Sequence, residues 1–389
     1  MPMELRNNIR VWGLSNIDEN TLAQADQTSR CPVVVGLALM PDAHLGIGAT
    51  VGSVILTEGC IIPAAVGGDI GCGLIAVQTS LSLADMKEDM QPLVLQFGRS
   101  IPAGVGQERN LHSTGATDMA QTAKTRAWLS SHPHDLTERL QHTALAQLGT
   151  LGSGNHFLEV CKDENERIWV VLHSGSRGVG NQLTTTHISL AREQKQELEN
   201  RDLSYFEMGT PAFDNYLYDM LWAQDYAYAN RELMMSAALD CLFSFIGAGQ
   251  ELSRINCHHN FAAQEVHEGR RVWVTRKGAI RAGIGDAGII PGSMATGTYI
   301  TVGKGNPLSY NSSSHGAGRK LSRGGAKRTF TVESLNALME GKAWNRENAK
   351  LLLDEHPGAY KDIESVMDAQ ADLTGKVHHL VQIVNYKGS

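Results

Sequence analysis

A carboxylate and a thiol lie three residues apart after a short apolar stretch of the sequence. Asp69 and Cys72 follow residues 61–66 and two glycines, and a glycine-rich turn can direct both side chains at one point. A thiolate sulfur can bridge two metal ions, and a carboxylate adds a hard oxygen ligand. A buried cysteine beside a turn aspartate accounts for the same residues equally well, so this pair alone does not decide between the two interpretations.

Two histidines stand beside glycine and polar residues, where a side chain can reach a binding site. His156 lies in the glycine-rich segment 152–159, and His173 follows the apolar run 168–172 and opens a loop that ends at Arg177. Backbone N–H groups of such a loop, together with an arginine, are suited to bind phosphate. For either histidine alone, a hydrogen-bonded structural role is the alternative.

Adjacent histidines, His258 and His259, precede Asn260. Because successive side chains diverge, we expect one to be a metal ligand and the other a structural partner. The candidate ligands are therefore dispersed along the chain, which is typical of a catalytic metal centre, whereas a structural zinc site shows close Cys/His pairs. They are Asp69, Cys72, His156, His173 and His259.

His315 stands before the small residues Gly316, Ala317 and Gly318, which leave its imidazole accessible. Neutral imidazole is a competent nitrogen nucleophile near pH 7, and its attack on phosphorus gives a high-energy phosphoramidate. A nearby guanidinium, such as that of Arg319, and metal ions would stabilise charge on the phosphoryl oxygens. A loop histidine that merely contacts phosphate is the alternative, and composition does not separate the two.

The elements that must position these residues can be read from apolar periodicity. Strands are predicted at 33–40, 51–56, 74–78, 168–172, 271–275, 298–302 and 381–386. Helices are predicted at 136–147, 183–201, 212–246, 331–342 and 346–353. Residues 104–126 are rich in glycine and polar residues, which is typical of a loop. Together these features predict one mixed α+β domain, 1–389, with a helical insertion at about 183–247.

Bulk properties fit a globular enzyme and exclude several other classes. Of the 389 residues, 42% are hydrophobic and 19% charged, and the formal charge of −7 argues against a general electrostatic nucleic-acid binder. Residues 270–330 contain eleven Lys/Arg against one Asp, so this stretch carries +10 and the rest −17, which favours a local basic face for a phosphate-rich substrate. Six scattered cysteines, no signal-like N-terminus and no long apolar run predict a cytoplasmic protein without a membrane span.

Taken in order, the motifs resemble those of the RtcB family of RNA ligases, with matching spacing from near residue 10 to the C-terminus. They are Pro41–Gly46, Asp69–Cys72, Gly152–Glu159, His173–Arg177, His258–Asn260, Pro291–Met294, Ser314–Arg319 and the pair Lys387-Gly388. Each motif alone is weak, but eight in order are highly specific. The resemblance implies an RtcB-type α+β fold with the active site in a central cleft.

The resemblance also implies a role for each matched residue. Asp69, Cys72 and His156 match the ligands of one Mn²⁺, and Cys72, His173 and His259 those of a second, with Cys72 bridging. His315 matches the histidine that becomes guanylylated, and Arg177 and Arg319 match contacts to RNA phosphate. Eleven residues match positions that bind the guanylate: Asn155, Glu159, Asn260, Pro291, Ser293, Met294, Thr298, Gly316, Gly318, Tyr360 and Lys387.

By the same resemblance, the activity is a GTP-dependent joining of RNA ends. A 3′-phosphate or 2′,3′-cyclic phosphate end would be joined to a 5′-hydroxyl end through a GMP–histidine intermediate, in RNA repair or tRNA splicing. The cofactors implied are two Mn²⁺ ions and GTP, and the partners are RNA and an accessory activating protein. We expect a monomer.

Some positions depart from the family pattern. Ile47 stands where lysine is common, Gly68 stands where valine is usual, and residues 104–126 are short and unusual, which together indicate a specialised paralogue with its own RNA preference. Asp42 and His44 either assist the 5′-hydroxyl or support neighbouring residues.

Two other functions compete with ligation. A metal-dependent cyclic phosphoesterase acting on RNA ends would need the metal ligands but neither His315 nor Lys387. A non-catalytic RNA-binding module would need only the basic stretch. The presence of both residues favours the ligase.

Overall fold

A computed structural model describes residues 4–6, 9–109 and 137–388, and the structural statements below refer to these residues. The strands are β1 (Glu4–Arg6), β2 (Ile9–Val11), β3 (Val34–His44), β4 (Val51–Thr57), β5 (Cys60–Ile61), β6 (Gly73–Ser82), β7 (Phe157–Lys162), β8 (Arg167–Ser174), β9 (Phe206–Glu207), β10 (Glu251–His258), β11 (Asn260–His267), β12 (Arg270–Lys277), β13 (Ala279–Arg281), β14 (Ala287–Pro291), β15 (Thr298–Gly303), β16 (Ser312–Ser314), β17 (Ala343–Trp344) and β18 (Thr374–Lys387). The helices are α1 (Glu19–Ser29), α2 (Pro63–Val66), α3 (Gln91–Ser100), α4 (Glu138–Gln147), α5 (Arg177–Gln194), α6 (Pro211–Ile246), α7 (Arg323–Thr329), α8 (Val332–Leu338) and α9 (Ile363–Ala369).

Two larger sheets form the framework. One has six strands in the order β1-β2-β3-β4-β12-β11, and the other has eight, with β10-β6-β8-β7-β18-β15-β14 in order and β17 paired to β18. The pairs β13–β16 and β5–β9 are separate. The α+β class predicted from the sequence is therefore confirmed. No helix in the described ranges combines the length and the apolar character needed to cross a bilayer.

The longest helix, α6, begins and ends where its sequence dictates. The Thr210 side chain accepts a hydrogen bond from the Phe213 N–H, Pro211 occupies the first turn, and Gly247 ends the helix with a φ of 86°. Tyr216 and Tyr226 pack in one core cluster with residues of α4 and α5, and later residues pack against β6 and β8. The helix therefore joins two parts of the core.

The seven predicted strands are present, most of them a residue or more longer than predicted. The helices predicted at 136–147, 183–201, 212–246 and 331–342 are also present, with shifted ends: the second spans Arg177–Gln194, and the last ends at Leu338. Most of the segment 104–126 lies outside the described residues.

One helix prediction is wrong. Residues 346–353 contain short 3₁₀ turns, Arg346–Asn348 and Leu351–Glu355, in place of an α-helix. Pro357 follows closely, and a proline restricts the preceding residue and cannot continue a helix. The tight turn leaves Glu355 buried at 2% exposure.

Strands β10 and β11 were not predicted. Both lie at the edge of a sheet, and their residues are largely half-buried or exposed. An edge strand with this mixture of polar and apolar residues lacks the continuous apolar run that marks a central strand.

Candidate active site

A cleft of about 600 Å³ brings together segments that are far apart in the sequence. It is lined by the loop before β6, by β7 and β8, by the β10–β11 turn, by the loops after β14 and β16, and by the end of β18. All of the predicted site residues line this cleft except His156 and Arg177, which lie behind its wall.

The Cys72 thiol lies at the centre of two groups of potential metal ligands. Its sulfur is 3.5 Å from Nε2 of His156 and 3.3 Å from Nε2 of His173. Asp69 Oδ2 lies 3.2 Å from the same His156 nitrogen, and His173 Nε2 lies 3.1 Å from His259 Nε2. Asp69, Cys72 and His156 form one group, and Cys72, His173 and His259 form the other. Within each group, the potential ligand atoms all lie within 4.8 Å of one another.

Backbone contacts set the tautomers of two of these histidines. Nδ1 of His156 lies 2.9 Å from the Leu151 carbonyl, and Nδ1 of His173 lies 3.0 Å from the Asn155 carbonyl. A carbonyl only accepts, so each Nδ1 must carry the proton and each Nε2 must present a lone pair. The lone pairs therefore converge on the sulfur, where a cation would satisfy them.

The electrostatics of the cluster favour a cation as well. Burial lowers the pKa of His173 and of His259 well below the usual value, so both rings are neutral and able to ligate. Burial, and then the Asp69 charge, raise the pKa of the Cys72 thiol well above its usual value. A metal cation bound at the sulfur would offset both effects and make the thiolate stable. The donor set of two carboxylate or thiolate groups and three imidazoles fits a divalent transition metal.

His315 lies beside this cluster and contacts a buried carboxylate. Its Nδ1 is 2.6 Å from Oδ2 of Asp42, which is 0% exposed, and its backbone N–H donates to the same oxygen at 3.2 Å. The His315 and His259 ring centroids are 4.7 Å apart. Gly318 permits this approach, because a Cβ there would lie 2.1 Å from the Asp42 carbonyl oxygen and its φ is +74°. Nε2 is therefore the ring nitrogen left to act as a nucleophile.

Asp42 thus supports the histidine directly, which favours the second of the two roles considered for it. His44 lies in the cleft wall, and its Nδ1 is 3.0 Å from the Asp42 carbonyl oxygen. Burial lowers the pKa of His44 to about 4, so this ring is neutral.

A buried acid and a buried amine lie at another part of the cleft. Glu159 is 2% exposed and accepts hydrogen bonds from the side chains of Gln382 and Asn385. Burial raises its pKa to about 7, opposed by the charge of Lys387 and by these hydrogen bonds. Burial lowers the pKa of Lys387, opposed by Glu355 and Glu159. Glu159 could therefore accept, and Lys387 could donate, hydrogen bonds to one planar ligand in the cleft.

Glu355 was not anticipated from the sequence. Its carboxylate accepts from Nη1 of Arg319 at 3.0 Å and from the Tyr360 hydroxyl, and it lies 3.7 Å from Nζ of Lys387. No motif marks this residue, because its role arises only when a short 3₁₀ turn places it among distant cations. In the structure, its burial in a cleft rich in cations identifies Glu355 as a candidate functional residue.

The remaining predicted nucleotide contacts surround the same space. The Thr298 hydroxyl is buried and has no hydrogen-bond partner within the described residues, so it is available to a ligand. Asn260 instead links two loops, because its Oδ1 accepts from the Gly278 N–H and its Nδ2 donates to the Asp69 carbonyl. The others also line the cleft: Asn155, Pro291, Ser293, Met294, Gly316 and Gly318.

The two arginines predicted to contact RNA phosphate differ in how far the protein itself binds them. Arg319 donates from Nε to the Leu321 carbonyl and from Nη2 to the Asp354 carbonyl, besides its contact with Glu355. Arg177 donates from Nε to the Thr150 hydroxyl at 3.2 Å. Both roles stay predictions.

The basic stretch 270–330 does not form one face. Strand β12 buries Arg276 against Glu265 and directs Lys277 toward the carbonyl oxygens of Ile47 and Ala64. Two exposed cations of this stretch, Lys320 and Arg323, line the cleft, and α7 carries two more exposed cations, Lys327 and Arg328, farther along the helix. Arg323 and Lys277 line the cleft and were missed as site residues, although both lie within the basic stretch.

Comparison with known proteins gives an independent result. A family model described as tRNA-splicing ligase RtcB matches residues 24–388. The chain is 42% identical to the RNA-splicing ligase RtcB of Escherichia coli (strain K12), over 96% of this chain and 95% of that protein. It is 31% identical to the tRNA-splicing ligase RtcB of Nanoarchaeum equitans, over 92% and 88%, and 30% identical to the RNA-splicing ligase RtcB of Mycobacterium tuberculosis, over 90% and 96%.

Proposed function

Because the chain belongs to the RtcB family of ligases, we propose that it is an RNA ligase that uses GTP and a pair of Mn²⁺ ions to join a 3′-phosphate or 2′,3′-cyclic phosphate end to a 5′-hydroxyl end. The observation that carries this proposal is the placement of His315, with Nδ1 2.6 Å from Asp42 and its ring 4.7 Å from that of His259. A nucleophile oriented in this way beside two groups of metal ligands is suited to nucleotidyl transfer.

In the first step, Nε2 of His315 attacks the α-phosphorus of GTP. A P–N bond forms, the bond to the bridging oxygen breaks, and pyrophosphate leaves. Oδ2 of Asp42 lies 2.6 Å from Nδ1 of the ring. A carboxylate at this position favours the tautomer with the proton on Nδ1, so that Nε2 is unprotonated before attack, and it stabilises the positive charge that develops on the ring afterwards. Bound metal ions would supply charge stabilisation at the phosphoryl oxygens.

Two further transfers complete the reaction. A 2′,3′-cyclic end is first opened by water, which breaks the P–O2′ bond and leaves a 3′-phosphate. An oxygen of that phosphate attacks the phosphorus on His315, the P–N bond breaks, and GMP is transferred to the RNA end. The 5′-hydroxyl oxygen of the second strand then attacks the 3′-phosphorus, and GMP leaves as the phosphodiester forms.

We assign guanine recognition to Glu159 and Lys387. The Glu159 carboxylate can accept from the N1–H and amino groups of guanine, and Lys387 can donate to its O6. Adenine presents an acceptor at N1 and an amino group at position 6, so both contacts would be lost. Unsatisfied buried groups make such discrimination strong.

RNA would approach along the exposed cations of α7 and its preceding loop, which reach the cleft at Lys320 and Arg323. Lys320, Arg323, Lys327 and Arg328 can contact phosphates without sequence preference. The setting we propose is RNA repair or tRNA splicing in the cytoplasm by a monomer, with an accessory activating protein. The phosphoesterase alternative is not favoured, because His315 and Lys387 both line the cleft.

The direct test is covalent labelling of the protein. After incubation with Mn²⁺ and GTP labelled at the α-phosphate, and then denaturation, label should remain on the chain and should be released by acid. ATP labelled in the same way should give little label. A protein that binds GTP but never retains label, whichever metal is supplied, would exclude the histidine intermediate.

The pKa of Glu159 predicts how the affinity for GTP depends on pH. Its pKa of about 7 means that the carboxylate is protonated, and loses its acceptor role, as the pH falls below 7. The KM for GTP in guanylylation should therefore rise toward about tenfold per pH unit well below pH 7. Glu159→Gln should show a raised KM without this dependence.

The comparison between wild type and variant separates Glu159 from titration of the triphosphate, which affects both proteins equally. Glu164→Gln serves as the control, because Glu164 is half exposed and contacts His378. An identical pH profile in wild type and Glu159→Gln would rule out this assignment.

A further inference from the structure

The long helix α6 contributes two adjacent, fully buried polar residues to the back of the metal-ligand cluster. Asn230 and Arg231 are both 0% exposed. Neither reaches the cleft, and neither belongs to any of the sequence motifs that mark the site. Buried polar groups of this size are costly unless their hydrogen bonds are satisfied, so their partners indicate what they do.

Arg231 donates to the segments that present three of the ligands. Nη1 donates to the Gly71 carbonyl at 2.8 Å and to the Ser174 carbonyl at 3.1 Å, and these residues adjoin Cys72 and His173. Nε donates to Asn256 Oδ1 at 2.8 Å, and Nη2 lies 3.2 Å from Nδ1 of His258, the residue before His259. One guanidinium thus fixes three loops relative to one another.

Asn230 contacts the segments behind the remaining ligands. Its Oδ1 accepts from the Gly149 N–H at 2.6 Å, and its Nδ2 lies 3.3 Å from the Thr150 carbonyl and 3.1 Å from the Gly175 carbonyl. The next carbonyl after Thr150, that of Leu151, is the one that orients His156. Gly175 is followed by Ser176, whose N–H donates to the Asp69 carboxylate at 2.9 Å.

The buried charge of Arg231 is held by hydrogen bonds and not by an ion pair. Among the residues that the structure describes, no carboxylate lies within ion-pair distance of its guanidinium, and the atoms that accept its hydrogen bonds are carbonyl and amide oxygens. Burial lowers the pKa of Arg231, and the first group that opposes this effect is Cys72. Burying a cation without a carboxylate partner costs free energy, and here the hydrogen bonds to the segments that carry the ligands offset part of that cost.

The helix backbone also packs directly against the loop that carries the thiol. A Cβ on Gly71 would lie 2.8 Å from Cα of Gln224 and 2.9 Å from Cβ of Ala227. The loop therefore lies on the surface of α6, one turn before Asn230 and Arg231, and its position follows that of the helix.

We propose that Asn230 and Arg231 are positioning residues that set the distances among the metal ligands, so that helix α6 controls the affinity and geometry of the metal centre. This inference rests on the metal centre of the proposed function. Metal ligands are commonly oriented by the groups that bond to them, and loss of such groups weakens metal binding by about 10- to 100-fold. Here the orientation acts through the backbone of the ligand loops.

The test is a Co²⁺ titration of the metal-free full-length protein, followed by the thiolate-to-cobalt charge-transfer band and the ligand-field bands. Arg231→Met should weaken Co²⁺ binding about 10- to 100-fold and change the ligand-field bands. Arg231→Lys should give an intermediate loss, since one ammonium cannot reach acceptors arranged for a planar fork. Asn256→Ala, which removes the Nε partner and one hydrogen bond to Glu232 but leaves the guanidinium in place, is a milder variant in case the others fail to fold.

Met235→Ala is the matched control. Met235 is 0% exposed on the same helix and packs in the apolar core, so its truncation should lower the melting temperature without altering the cobalt spectrum. Folded Arg231 or Asn256 variants with the wild-type affinity and spectrum would overturn the inference while leaving the metal centre intact. A wild-type protein that shows no thiolate band would overturn the metal centre itself, and this inference with it.

Discussion

Replacing His315 with alanine is expected to abolish guanylylation of the protein. The imidazole supplies the only nitrogen that the proposed mechanism uses as a nucleophile, and loss of a covalent nucleophile costs on the order of 10⁶ in kcat in the best-studied case. With GTP labelled at the α-phosphate, the variant should retain no label after denaturation, and it should not ligate RNA ends. Both readouts follow from one missing P–N bond.

The loss must be separated from damage to the fold, because Asp42 is fully buried and contacts the ring that is removed. His315→Asn addresses this point, since its amide is polar and can donate to Asp42 but cannot form the adduct. It should fold like wild type and remain unlabelled. His378→Ala, which removes a histidine that contacts Glu164 instead, should label normally.

A sealing assay with an RNA that already carries GMP on its 3′-phosphate provides a further control. The His315 variants should still seal such an end to a 5′-hydroxyl, because the P–N bond is no longer needed. Label on either His315 variant, in an acid-labile form, would show that another residue is the nucleophile.

Replacing Cys72 with alanine is expected to remove both metal ions at once. The Cys72 sulfur is the one ligand atom shared by the two groups, at 3.5 Å from His156 Nε2 and 3.3 Å from His173 Nε2. Without it, each group keeps only two of its three protein ligands. Metal analysis after equilibration with Mn²⁺ and gel filtration should show wild type with two ions per chain and the variant with essentially none.

Two further variants make the comparison specific. His156→Ala removes a ligand from one group and should leave one ion bound, whereas Cys31→Ala should leave both, because Cys31 is similarly buried but lies outside either group. Guanylylation should fall to background in Cys72→Ala and remain unchanged in Cys31→Ala. Full Mn²⁺ occupancy in Cys72→Ala would contradict a bridging sulfur.

The sequence itself identified the chemistry. Asp69, Cys72, His156, His173 and His259 were candidate ligands because of their residue types and glycine-rich settings, and the structure brings all five together. The chemistry that a side chain can perform is set by its residue type, so the sequence alone reveals it. Two of the strands that adjoin these segments, β6 and β8, were also predicted, because a buried strand has an apolar run that local sequence reveals.

Only the tertiary structure shows what surrounds those ligands. Glu355 reaches the cleft from a 3₁₀ turn that was predicted as a helix, and Arg319, expected to contact RNA, donates to that carboxylate. The basic stretch 270–330 is split, since alternate residues of β12 face opposite sides and Arg276 becomes buried. These outcomes depend on partners far away in the chain.

Helix α6 shows the distinction most clearly. The sequence determined that residues near 212–246 form a helix, because capping and apolar spacing are local properties. That Arg231 lies behind Cys72, 159 positions earlier in the chain, was decided by packing between the helix and two sheets. A contact of this kind depends on the three-dimensional arrangement of elements, which no local pattern encodes.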